Sequence, residues 1–288
     1  MTGPIVVGVD GSPQSTAAVD WAADDAARRG VPLKIVHVRE PWANKYPFHR
    51  VEGFDQSLSD YCEGVISGAA KRARERVPGL AVTAELATGM VVEKLKAESR
   101  QAAALVVGSR GMGGFAGLVL GSVGLGVAGH ATCPVVVVRG PGKAGQREIV
   151  VGFDGSEHSE AAMRYAFEEA ELRGVGVRVV YAWQIPAFTP FAIGYTRALD
   201  EVLEQSTDIA RRQLAPWREK YPDVPVTQSA VCGHPIAVLS DFSRGADLLV
   251  VGSRGLGGFG SAVLGSVGHG VLHRAHCAVA VVRPGEPS

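Results

Sequence analysis

The chain has 288 residues and a mass of 30.1 kDa, about two domains at roughly 100 to 200 residues each, which excludes a small disulfide-stapled scaffold. Hydrophobic residues make up 46% and charged residues 20%, the balance of a soluble globular protein, and 29 Lys+Arg against 29 Asp+Glu leave no bulk charge to draw nucleic acid or an anionic membrane. Cys62, Cys133, Cys232 and Cys277 lack CxxC spacing, which argues against zinc and fits a reducing cytoplasm, and the start MTGPIVVGVDGS lacks the basic and apolar regions of a signal peptide.

In chain order, Ile5 to Val9 is a short apolar run closed by Asp-Gly and is predicted to be a buried strand. Ser12 suits an N-cap with Pro13 in the first helical turn, and the helix is expected to run to Arg29 and stop at Gly30. A strand over Leu33 to Val38, a loop bearing Trp42, Tyr46, Phe48 and Phe54, and a helix over Ser57 to Arg76 follow. Then come a strand over Leu80 to Ala87, a helix over Val91 to Gln101, a strand over Ala104 to Val107, a helix over Leu118 to Ala128, and a strand over Val135 to Val138. Apolar strands alternating with helices imply a parallel sheet covered on both faces.

The pattern then repeats. IVVGVDGS at Ile5 returns as IVVGFDGS at Ile149, and the segment from Leu105 to Arg139 returns as Leu249 to Arg283, each 144 residues later, the longer with 24 of 35 positions identical. Equal offsets mean a duplicated domain, 1–140 and 147–288, with a linker at 141–146. The expected fold is two tandem doubly wound α/β domains, each a five-stranded parallel sheet with helices on both faces. The segment from Gly111 to Val138 has no Asp, Glu, Lys or Arg and a small-residue ladder that mimics a membrane helix. Its eight glycines up to Gly129 read better as a loop, a buried helix and a strand. The valine-rich fifth strands, Pro134 to Arg139 and Ala278 to Arg283, would be hazardous as open edges, so they are expected to pair with each other in a pseudo-twofold two-domain unit.

In doubly wound sheets, ligands bind beyond the carboxyl ends of the strands. There lie Asp10 and Asp154 after the first strand, and Gly108-Ser-Arg-Gly111 and Gly252-Ser-Arg-Gly255 after the fourth. Glycines permit positive φ or close approach, and successive amides form an anion nest, to which Gly121-Ser122 and Gly265-Ser266 can add. A lone glycine turn is ordinary turn chemistry. Here both copies keep every glycine and serine of the pattern while their middles diverge. No GxxxxGK[ST] is present. Gly255-x-Gly257-x-x-Gly260 satisfies GxGxxG, but the next acidic residue is Glu286, too distant for a ribose-binding carboxylate. His269, His273 and His276 have no histidine counterparts in the first copy and read as a polar helix-end cluster, not a metal site; Cys133 and Cys277 read as buried apolar groups.

The spacing Gly-x2-Gly-x9-Gly-Ser, with the aspartate after strand one, resembles the universal stress protein family in its ATP-binding subgroup. Because the pattern occurs twice, the chain resembles the tandem form abundant in actinobacteria. That resemblance implies strand order 3-2-1-4-5, ATP as ligand, and a stress or dormancy role; Mg2+ is expected with the ATP because a triphosphate usually carries it. By position it puts Asp10, with Gly8 and Val9, and Asp154, with Gly152 and Phe153, at the nucleoside. The backbone of Val38 and Ala182 would meet adenine, the aromatics after strand two, including Trp42, Phe48, Trp183 and Phe188, would either cover it or simply pack, and the phosphates would rest on Gly108, Gly111, Gly121, Ser122 and Val123 and on Gly252, Gly255, Gly265, Ser266 and Val267. The Gly-x-Pro that often opens the third helix in the family is present as Gly233-His234-Pro235, whereas the first copy departs with Gly89-Met90-Val91.

The expected function is an ATP-binding regulatory protein in the cytoplasm, with one site of its own affinity per domain, an unidentified protein partner and a homodimer of two-domain chains as one assembly. The alternative is a slow ATPase or phosphoryl-transfer enzyme, and a scaffold without ligand is a third reading. Hydrolysis needs a positioned water and charge neutralisation, and the only shared loop cation is Arg110 or Arg254. No catalytic residue and no dedicated metal site are predicted.

Overall fold

The computed structural model describes residues 3–40, 54–111, 120–140, 148–184, 212–256 and 264–285. Trp42, Tyr46, Phe48 and Phe188, the linker at 141–146 and the middles of both glycine loops lie outside the described residues. The chain forms two compact units, Met1–Gly142 with Ala278–Ser288, and Lys143–Cys277.

The first unit contains β1 (Ile5–Gly8), α1 (Pro13–Arg29), β2 (Leu33–Arg39), α2 (Phe54–Arg76), β3 (Val82–Thr88), α3 (Val91–Ser99), β4 (Ala104–Gly108), α4 (Ser122–His130) and β5 (Val135–Val138). Its parallel strands run in the order β3-β2-β1-β4-β5. Ser12 caps α1 by accepting from the Ser15 amide at 3.1 Å, and Gly30 closes it in the left-handed conformation at φ 65°. Consecutive β1 residues Ile5, Val6 and Val7 are all buried, so both faces of the strand are covered. The alanine-rich side of α1, including Ala18, Ala22 and Ala26, is buried beside β1 and β4. Removing such apolar surface from water contributes about 25 cal/mol per Å². The buried Asp25 is matched by Arg29 at 2.9 Å and Arg28 at 3.2 Å.

The second unit contains β6 (Glu148–Gly152), α5 (Glu157–Arg173), β7 (Gly176–Trp183), helical residues 212–220 (α6), β8 (Val226–Cys232), α7 (Pro235–Phe242), β9 (Leu248–Gly252) and α8 (Ser266–Arg274). Among the described residues its parallel strands are ordered β9-β6-β7-β8, the first copy's 4-1-2-3. Phe167 of α5 packs on Trp217 and Tyr221 at ring separations of 5.4 and 5.2 Å. The first copy has Ala23, Ala73 and Val77 there and instead ties α2 to α1 through two-point ion pairs, Arg72 to Asp20 and Arg76 to Asp24.

The last strand, β10 (Ala278–Val282), packs with the first unit. It runs antiparallel to β5, placing Val279, Ala280 and Val281 opposite Val137, Val136 and Val135. The valine edges therefore do pair. The reason is burial: every one of these six side chains is at most 2% exposed.

Several boundaries differ from the sequence expectation. The helix expected from Leu118 begins at Ser122, because Gly121 is extended at φ −83° and ψ 159° and its amide is pinned to Ser109 O at 2.7 Å. The third strand begins at Val82. All four cysteines are free, and burial pushes the Cys133 thiol up to about 12, whereas Cys277 is only half-buried. Among the described residues no helix is long and apolar enough to cross a membrane.

Candidate functional site

The chain leaves β6 through Phe153 and Asp154 and turns at Gly155, whose φ of 81° only glycine adopts readily, into α5. Asp154 Oδ1 accepts from the Ser156 amide at 3.0 Å, and Oδ2 accepts from the Leu256 amide at 3.1 Å. One carboxylate thus joins the end of the first strand of the copy to the loop after its fourth. Burial pushes this carboxyl up, but the donors of Ser156, Leu256 and Ser159 outweigh it and hold the group below the usual carboxylate range. The first unit repeats the turn, with Gly11 at φ 86° and Asp10 Oδ1 accepting from the Ser12 amide at 3.0 Å.

The glycines have distinct duties. Of the two reasons expected for glycine at Gly111 and Gly255, positive φ and close approach, the second holds, and the group that approaches is a carboxylate: a Cβ on either would strike the Oδ2 of Asp10 or Asp154. They are glycines because a carboxylate passes over them. A Cβ on Gly108 would lie 2.8 Å from Gln14 C, and one on Gly252 would lie 2.7 Å from His158 C, so these glycines admit the first turn of α1 and α5. Gly8 and Gly152 likewise face Leu95 and Leu239 at 3.1 and 3.0 Å. Gly121 and Gly265 precede α4 and α8 and cap them without a side chain, their own amides bonded to Ser109 O and Ser253 O at 2.7 Å. The first amides of each helix, from Ser122 and Val123 and from Ser266 and Val267, have no intrahelical acceptor and lie at the positive end of the dipole.

In the second unit these parts enclose a cavity of about 600 Å³. Asp154, Arg254, Gly255 and the start of α8 from Gly265 to Gly268 form its polar side. Val180, Ala182, Trp183, Pro235, Leu239 and Val251 form an apolar wall. Gly152, Phe153, Gly252, Ser266 and Val267 also line it, so the residues proposed for the second copy from sequence meet at one cavity. In the first unit Val38 stands near the end of β2 opposite Ala87, and Val9 bonds to Val36 O at 2.9 Å, at the same strand ends as Gly8, Asp10 and Gly108. Ser12 Oγ donates to Arg110 O at 3.3 Å, drawing the loop toward α1.

Sequence reading missed Leu239, which shares one face of α7 with Pro235 at i and i+4; Trp183, one of the aromatics read as either covering adenine or simply packing, lines the cavity. The indole Nε1 of Trp183 is buried with no acceptor among the described residues. His269 and His273 lie with ring centroids 4.8 Å apart, and among the described residues no group of three His, Cys, Asp or Glu side chains could hold a metal.

Comparison with known proteins gives concordant results. Residues 1–139 and 146–283 each match the model of the universal stress protein family. Universal stress protein Rv2005c of Mycobacterium tuberculosis is 37% identical over 289 residues, spanning 97% of this chain and 96% of its own. Universal stress protein Rv1996 of the same organism is 37% identical over 309 residues, spanning 99% and 96%. Among solved structures, a universal stress protein from Archaeoglobus fulgidus aligns over 99% of this chain and 98% of its own, with a TM-score of 0.69 at 18% identity, a likeness of fold. The twofold family match and the full-length relatives agree with the duplicated sheet and its paired glycine loops: the chain belongs to the universal stress protein family and carries two of its domains in tandem.

Proposed function

We propose that each domain binds one nucleotide, ATP with its Mg2+, and that the protein is a regulatory stress-response protein whose loop order and partner affinity follow nucleotide occupancy. The observation that carries this reading is the second unit's cavity. It joins an apolar wall suited to a flat base, a carboxylate suited to ribose hydroxyls, and a helix N-terminus with a glycine loop suited to phosphates. Its volume of about 600 Å³ falls in the range of small-molecule sites. Magnesium would travel on the triphosphate, which usually carries it.

Binding without efficient turnover fits the site better than hydrolysis. Both carboxylate oxygens of Asp154 already accept from backbone amides, and these donors lower its proton affinity, which makes it a weak general base. The reading places the protein in the cytoplasm, with an unidentified protein partner and a homodimer of two-domain chains as its assembly. Mass spectrometry of the purified, denatured protein should detect co-released adenine nucleotide, and titration of the stripped protein should saturate at two ATP per chain. A scaffold would release none and bind none. Steady-state phosphate release at enzyme-like rates, abolished by Asp10→Ala with Asp154→Ala, would favour the ATPase reading instead.

A further inference from the structure

Arg254 brings a cationic side chain to the second unit's cavity lining, and its guanidinium is tethered. Arg254 Nε donates to His158 Nε2 at 3.1 Å. With Nε2 accepting, a neutral imidazole carries its proton on Nδ1, which lies 3.0 Å from Ser253 Oγ. Ser253 is 1% exposed and therefore a fixed anchor. The ring is held on one side by this serine and holds the arginine on the other. It reaches this position because Gly252 lacks a Cβ, which lets the first turn of α5 close onto the end of β9.

The tether uses only Nε. Among the described residues the two terminal amino groups of Arg254 have no hydrogen-bond partner, so their N–H groups remain available on a residue that lines the cavity. That fork suits paired phosphate oxygens. In the first unit the corresponding residues are Gln14, Ser109 and Arg110. The backbone approach is the same there, with Gln14 C 2.8 Å from a Cβ placed on Gly108. Neither the Gln14 nor the Arg110 side chain bonds to any described residue; Arg110 takes part only through its carbonyl.

We propose that His158 is a positioning residue that makes the second site selective for polyphosphate. It holds Arg254 with its terminal amino groups presented to the phosphate end, while the first site must order Arg110 on binding. The inference rests on the nucleotide reading above. Immobilising a long side chain on association weakens affinity by roughly two- to tenfold, and the tether removes that loss at the second site alone. Because Arg254 belongs to the phosphate side, the advantage applies to ATP and not to adenosine.

The test uses the full chain in an Asp10→Ala background, so that the second site reports, with calorimetric titration of Mg-ATP and, separately, adenosine. His158→Gln reproduces the first unit's residue, and His158→Phe keeps a ring without an acceptor. Each should weaken ATP roughly two- to tenfold while adenosine changes by less than about twofold. In an Arg254→Ala chain, His158→Phe should cost ATP affinity nothing further, since the histidine acts through the arginine. Equal losses for ATP and adenosine would show a merely structural role, and unchanged ATP affinity or an additive loss with Arg254→Ala would also overturn the proposal. If the parent Asp10→Ala chain unfolds cooperatively yet binds no ATP, the nucleotide reading itself fails and takes the inference with it.

Discussion

Replacing Gly255 with alanine probes the contact that joins the two halves of the second site. The new Cβ would meet Asp154 Oδ2, the oxygen that accepts from the Leu256 amide at 3.1 Å. Only the Asp154 side chain lies within 4 Å of that Cβ, so the carboxylate turns away to relieve the clash and its bond to the amide is lost. A hydrogen bond to a charged acceptor contributes about 1.5 to 3 kcal/mol. Leu256 is 76% exposed, so water reaches the freed amide, and the lower end, about 1.5 kcal/mol, is the appropriate figure. Urea denaturation of Gly255→Ala, Asp154→Ala and the double variant forms a cycle. If the clash with the carboxylate is the cause, removing the carboxylate removes the penalty, and the double variant should be no less stable than Asp154→Ala alone. Costs that add to within about 0.5 kcal/mol would refute the reasoning. ATP affinity should fall in Gly255→Ala as the loop shifts, and wild-type affinity would remove the loop from the proposed phosphate site.

Gly252→Ala should be worse, about 2 to 4 kcal/mol by denaturation, because its Cβ would press on His158 backbone at 2.7 Å and no side-chain rotation relieves it; removing Asp154 should not rescue it. Val137→Pro deletes a ladder donor opposite Val279 and should cost about 3 kcal/mol or more with faster amide exchange across β5 and β10; unchanged exchange would count against the pairing. The Asp154 carboxyl is held below its ordinary value in the folded chain. Its contribution is therefore fully present above the ordinary carboxylate pKa of about 3.9 and is lost as pH falls through the lower folded value. Asp154→Asn should flatten the acid limb of the stability profile below about pH 4, and an unaltered limb would show that other carboxylates dominate it.

Much of this architecture is legible in the sequence because its signals are local. Ser12-Pro13 and Gly30 mark the ends of α1 with side-chain and backbone chemistry that needs no tertiary partner. The duplication supplied a second reading of each strand and of the loops carrying Gly108 and Gly252. The errors arise where a distant group decides. Gly121 sits in an apolar run that reads as helix, and only its bond to Ser109 O holds it extended. Gly255 reads as a glycine for positive φ or for close approach of a phosphate, yet its constraint is Asp154, remote in sequence. His158 has no motif at all; its role follows from α5 closing onto β9, and the sole sequence hint is its difference from Gln14.

The placement of β10 also sets an order of events during synthesis. Val137 finds its partner in Val279, so the ribosome must make the whole second copy before the strand that finishes the first unit exists. Until then β5 offers a buried-type valine strand with one open side. Such a strand is a template for association with other chains. The vulnerable interval is thus the time needed to translate everything between the two strands, and the pairing that ends it is a long-range contact, of a kind slow to form by comparison with local pairings. A ribosome stalled within the second copy would expose the edge for longer, so slow translation should raise aggregation of the nascent chain even though the finished protein hides it.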